Sequence, residues 1–90
     1  MKIIEKKILP NFLHAILDGS KRFEIRREDD PDNPVLLVGT VLHLRGFILE
    51  GYDDEYTPGY TGEECLVRIT YRTDFEQAPG MWVLGISDPL

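Results

Sequence analysis

Ninety residues hold one domain and no more, and a chain that is 42% hydrophobic and 29% charged folds rather than staying disordered. A formal net charge of −6 argues against broad coating of a nucleic-acid backbone. No apolar run approaches the roughly 18 residues that span a bilayer, and a single cysteine, Cys65, excludes an internal disulfide.

The charge is uneven. Residues 1–27 hold seven Lys/Arg and three Asp/Glu, giving +4, whereas residues 28–90 hold three and thirteen, giving −10. The acids gather in turn-forming stretches: Glu28-Asp29-Asp30-Pro31-Asp32, Asp53-Asp54-Glu55 and Glu63-Glu64. A local basic cleft in an acidic remainder suits a small target better than a long phosphate backbone. Met1–Lys7 has interspersed charges and no apolar h-region, so no secretory signal is expected and the cytoplasm is the expected compartment.

In chain order, Met1–Leu9 accommodates a first strand. Pro10 suits the first turn of a helix, where a missing N–H costs nothing. Phe12, Leu13, Ile16 and Leu17 follow at helical spacing, and Gly19 falls where a left-handed cap is wanted, so a helix is expected over Pro10–Asp18. His14 on it is expected to be exposed or partly packed rather than a metal ligand, having no partner at metal spacing. A second strand spans Arg22–Arg27, and Asp29–Pro34 is a loop. Val35–Val38 is a short apolar patch. A third strand spans Val41–Leu49, with Leu42, Leu44 and Ile48 on one face and His43, Arg45 and Phe47 on the other.

Glu50–Gly59 is a loop carrying Tyr52 and Tyr56, with Tyr60 at its end. Such tyrosines either stack nucleobases or pin the loop to the body. A fourth strand spans Glu64–Thr73: Cys65, Val67, Ile69 and Tyr71 alternate with Leu66, Arg68, Thr70 and Arg72. Cys65 reads as a small core residue rather than a catalytic thiol. Asp74–Gly80 is a loop. Met81–Ser87, apolar on both faces, is expected to be a central strand. Five short strands and one early helix predict a mainly β domain over residues 1–90, with one or two short helices, closed or nearly closed into a small barrel; an open α+β sheet is the alternative.

The chemistry concentrates where the helix meets the second strand, in Gly19-Ser20-Lys21-Arg22-Phe23-Glu24-Ile25-Arg26-Arg27. Strand alternation sends Phe23 and Ile25 toward the core and sets Glu24 and Arg26 together on the opposite face, with Lys21 at the turn before them. The group is either a solvated salt-bridge face or a polar site able to bind an anion or move a proton. No phosphate-binding glycine loop, CxxC or HExxH occurs, and no cofactor or metal is expected.

Gly19-Ser20-Lys21-Arg22-Phe23-Glu24-Ile25-Arg26 fits the GxKxxExR signature of the ASCH superfamily, a branch of the PUA-like β-barrels. Ile8-Leu9-Pro10, Ile16-Leu17-Asp18-Gly19, Val38-Gly39-Thr40-Val41-Leu42, Tyr60-Thr61-Gly62, Val67-Arg68-Ile69-Thr70-Tyr71 and Trp82-Val83-Leu84-Gly85-Ile86 extend the resemblance over nearly the whole chain, to a small subfamily found in bacteria and their phages. The resemblance implies a PUA-like barrel with a cleft beside the helix and the signature strand, where members bind RNA. It carries over Lys21, Glu24 and Arg26. Some members hydrolyse an acyl-amide on a modified cytidine. They match at Lys21 but have threonine where Glu24 stands, and they use a later carboxylate for which Asp74 and Glu76 are candidates by region. Arg22 and Thr40 also depart from the pattern.

Three functions follow as expectations. The first is an RNA- or modified-nucleotide-binding module using Lys21, Glu24 and Arg26. The second is a small amidohydrolase acting on an acylated nucleoside, with Lys21 and Glu24 catalytic. The third is a protein-interaction or structural domain in which the same three residues form a buried network.

Overall fold

The computed structural model describes residues 2–51 and 57–90. Tyr52, Asp53, Asp54, Glu55 and Tyr56 of the expected tyrosine loop lie outside them. The elements are β1 (Ile3–Ile8), α1 (Pro10–Leu17), β2 (Phe23–Arg27), β3 (Val41–Ile48), β4 (Gly59–Thr73) and β5 (Met81–Ile86). The domain is mainly β with one short helix, as expected. Among the described residues no helix is long and apolar enough to cross a membrane.

The strands build one five-stranded mixed sheet in the order β1-β3-β4-β5-β2. β1 runs parallel to β3, and the other neighbours are antiparallel. β4 carries the architecture. Its first part, Gly59–Arg68, pairs with β3; its last, Ile69–Thr73, pairs with β5. A register shift between Ile69 and Tyr71 marks the change of partner, and such bulges bend a strand and increase its twist. No ladder joins β1 to β2 among the described residues, so these two strands are the edges of an open sheet.

The helix forms for the reasons its sequence gives. Pro10 occupies its first turn, and Gly19 follows its C-terminal cap at φ +86°, a conformation that costs glycine least. Leu13 and Ile16 are fully buried, whereas Phe12 and Leu17 are exposed. Leu13 comes down on β3 at Gly46, where an added Cβ would lie 2.5 Å from Thr61 Oγ1 and 3.2 Å from Leu13 Cδ2. The core is Ile8, Leu13, Ile16, Leu36, Leu42, Leu44, Val67, Ile69, Leu84 and Ile86, with Trp82 and Cys65 packed against it. Each fully buried Leu or Ile contributes about 1.5–3 kcal/mol relative to exposure. The Glu28 carboxylate accepts from the backbone N–H groups of Val35 and Leu36, both at 3.2 Å, and so holds the segment that inserts Leu36.

Three expectations are corrected. Phe23 and Ile25 do not enter the core: they are 45% and 48% exposed, and Glu24 faces inward at 4%. The alternation is right, but its two faces are exchanged, because Glu24 arrives with two cations to satisfy its charge. Tyr71 is exposed rather than aligned with Val67 and Ile69, because the bulge after Ile69 turns it outward and gives Arg72 the sheltered position. β4 starts at Gly59, so Tyr60 belongs to the strand and not to the loop. β5 lies between β4 and β2, as a central strand should, with Leu84 and Ile86 buried.

Candidate functional site

The turn after α1 delivers Lys21 to β2. The Asp18 carboxylate accepts from Ser20 N at 2.8 Å; hydrogen bonding by Ser20, from its hydroxyl first and its backbone N–H second, holds the Asp18 pKa below the ordinary aspartate range. Lys21 N then donates to Ala15 O at 3.0 Å, and the chain leaves the helix with its side chain directed at β2.

Lys21 Nζ donates to the Phe23 carbonyl at 2.6 Å and to Glu24 Oε1. Arg26 Nε donates to Glu24 Oε2 at 2.8 Å. Each carboxylate oxygen therefore has its own cation, which is the condition for burying such a group. Arg26 Nη2 donates to the Lys7 carbonyl at 2.9 Å, so one guanidinium serves Glu24 and reaches from β2 to β1. The Lys21 ammonium lies 4.8 Å from the Phe23 ring centre and 5.4 Å from that of Phe12, within cation–π range of both.

These groups border a cavity of about 420 Å³ lined by Lys7, Ile8 and Leu9, by Phe12, and by Lys21 and Phe23–Arg26. It occupies the interval between the sheet's two edge strands, beside the helix. Its size falls within the roughly 300–1,000 Å³ of small-molecule sites, and its walls are apolar with a few convergent polar groups. Three cations, Lys7, Lys21 and Arg26, stand against one carboxylate, so the local formal charge is positive in an acidic domain. Lys21 and Arg26 each have more N–H donors than their present bonds use. What remains suits an anion or a carbonyl acceptor.

Lys21, Glu24 and Arg26 are thus brought together as the sequence analysis expects. Asp74 and Glu76 do not line the cavity; both lie exposed in the turn between β4 and β5. His43 does not line the cavity; it lies 3.2 Å from Glu64 and 3.7 Å from Glu5, and His14 Nε2 lies 2.8 Å from Glu63. Among the described residues no three His, Cys, Asp or Glu side chains gather as metal ligands. Burial, and secondarily the Glu24 charge, push the Cys65 thiol pKa up, which suits a packed residue and not a nucleophile. Sequence reasoning missed Lys7 and the apolar walls. Phe12 offered one signal: the helix carries four large apolar residues in two turns, more than its contact with the sheet buries.

No curated protein matches this chain. Residues 3–86 match a family model described as a domain of unknown function, DUF3850. With nearly its whole length covered, the chain belongs to that family.

Proposed function

We propose that this domain binds a nucleotide unit, of RNA or of a modified nucleotide, in the cavity between β1 and β2, and that its fold is an ASCH-like member of the PUA-like group. The observation that carries the reading is Glu24, buried between Lys21 and Arg26 on the wall of an open, cation-rich cavity with exposed aromatic rings at its rim. Arg26 and Lys21 take a phosphate or a base carbonyl, the contacts for which their donors are suited. Phe12 and Phe23 offer ring faces for stacking. Glu24 fixes both cations so that they meet a ligand already oriented. The GxKxxExR signature and the order of strand, helix and strands support the fold assignment; the two edges bordering the cavity are where a barrel of this kind would close.

Hydrolysis of an acylated nucleoside would require Lys21 to give or take a proton beside the acyl carbon. Its ammonium instead donates to Glu24 and the Phe23 carbonyl, and among the described residues no second carboxylate lines the cavity. Binding is therefore the better reading. A structural role is favoured by one observation, the pairing of both Glu24 oxygens, and it predicts an intact network with no ligand.

The test is equilibrium titration with nucleosides, ribonucleoside monophosphates and short single-stranded RNAs at two salt concentrations, with N4-acetylcytidine included and its deacylation monitored. Saturable binding at low salt that Arg26→Ala removes supports the proposal. Absence of saturable binding to every one of these compounds rejects it, and deacylation abolished by Lys21→Ala would establish the hydrolase instead.

A further inference from the structure

A second, smaller hollow of about 160 Å³ adjoins the cavity and shares Lys7, Ile8 and Leu9 with it; Phe47 and Leu49 complete its lining. At well under the roughly 300 Å³ of an independent ligand site, it is an annex. The register shift between Arg45 and Phe47 re-aims the Phe47 side chain on β3. The ring then meets Tyr60 edge-on, centres 5.0 Å apart at 80°. Lys7 Nζ lies 4.2 Å from the Phe47 ring centre, and the Arg45 guanidinium lies 3.9 Å from that of Tyr60.

Two cations at this junction differ in kind. Arg45 is matched by Glu5 at 3.4 Å and Glu64 at 3.6 Å. Lys7 is exposed and has no carboxylate partner among the described residues; its ammonium rests on aromatic rings at the boundary of the two hollows. A lone cation between an aromatic-rimmed cavity and an apolar annex matches one anionic link joining two flat groups. That is the chemistry of a phosphodiester between adjacent nucleosides.

We infer that the ligand is a short single strand of two nucleotides, with one unit in the Lys21–Glu24–Arg26 cavity, its phosphodiester at Lys7 and the neighbouring base against Phe47 and Leu49. The inference rests on the nucleotide-binding reading and adds a length to it. Arg45, the other cation at this junction, is already held by Glu5 and Glu64, whose carboxylates oppose a further phosphate there, so the site counts two units and does not continue along a strand.

The test compares the four ribonucleoside 5′-monophosphates with the corresponding 5′-phosphorylated homodinucleotides and homotetranucleotides, with tripolyphosphate as a charge control. For the preferred base, the dinucleotide binds about fivefold or more tightly than the monophosphate, the gain of one stacked base, and the tetranucleotide adds no comparable step. Leu49→Asp and Phe47→Leu each return the dinucleotide to monophosphate affinity without changing the monophosphate's own. Leu49 is exposed, so its variant keeps the test valid if the Phe47 variant is poorly folded. Lys7→Gln reduces the dinucleotide's salt dependence. Equal affinity for monophosphate and dinucleotide, or an equal gain with tripolyphosphate, overturns this inference while leaving the cavity's nucleotide binding standing. Failure of the monophosphates and the dinucleotides alike overturns both.

Discussion

Arg26 on β2 reaches the backbone carbonyl of Lys7 on β1, 2.9 Å away, and so joins two strands that no ladder connects among the described residues. The same guanidinium orients Glu24. One side chain therefore spans the open side of the sheet, holds a buried carboxylate and lines the cavity. Stability and access to the cavity meet in that residue.

Replacing Arg26 with alanine removes one of the two partners of Glu24 and the tie to β1. The expected loss is about 1–3 kcal/mol, the cost of leaving a buried acceptor poorly satisfied. In a domain of this size each kcal/mol lowers Tm by roughly 4–8 °C. Arg26→Lys recovers only part, since a single ammonium does not reproduce the fork that reaches both Glu24 and Lys7. Thermal denaturation followed by circular dichroism reads this directly, and an unchanged Tm for Arg26→Ala contradicts it.

Glu24 is the more severe position. Glu24→Ala leaves Lys21 and Arg26 sheltered without their counter-charge, and breaking such a pair costs about 3–5 kcal/mol. Glu24→Gln keeps the shape and one acceptor oxygen, so it is milder. Urea denaturation should rank wild type, Glu24→Gln and Glu24→Ala in falling order of stability. A fully stable Glu24→Ala protein would mean that the network is not buried as described.

Gly46 tests the seat of the helix. Its Cβ would meet Thr61, Leu13 and the Glu63 carbonyl, all within 3.3 Å. Gly46→Ala should destabilise by about 1–3 kcal/mol through overpacking. The additional replacement Thr61→Ala, which removes the nearest atom, should recover part of that loss; no recovery would place the strain elsewhere.

Asp29 links pH to stability. The bond from the Lys6 ammonium, 2.9 Å away, lowers its pKa below the ordinary aspartate value. A depressed folded-state pKa stabilises the fold above the unfolded value of about 3.9, and that contribution is lost as pH falls through the lower folded value. The stability difference between wild type and Asp29→Asn should therefore be flat near neutrality and shrink below about pH 4. Urea midpoints across the acid range check it, and a difference that grows on acidification has the wrong sign. The pair is exposed, so the effect is small.

The sequence showed the helix through Pro10, the spacing of Leu13 and Ile16, and Gly19. It showed the succession of strands along the chain through alternation, and it grouped Glu24 and Arg26 through period two, with Lys21 at the turn before them. It misassigned the faces of β2 because hydropathy places Phe23 and Ile25 inside. Only the arrival of Lys21 from the helix turn and the fork of Arg26 make it feasible to bury Glu24 instead. The outward turn of Tyr71 depends on a bulge that no local signal announces. Lys7 and the annex were hidden because they require β1 to lie beside β3, a pairing more than thirty positions apart in sequence.

The most direct measurement is a residue-resolved NMR titration with ribonucleoside 5′-monophosphates at low salt. Nucleotide binding in the cavity gives saturable shifts concentrated at Lys21, Glu24, Arg26, Phe12 and Phe23, lost in Arg26→Ala protein that remains folded. Shifts that never saturate, or that centre on the turn of Asp74 and Glu76 outside the cavity, would contradict it.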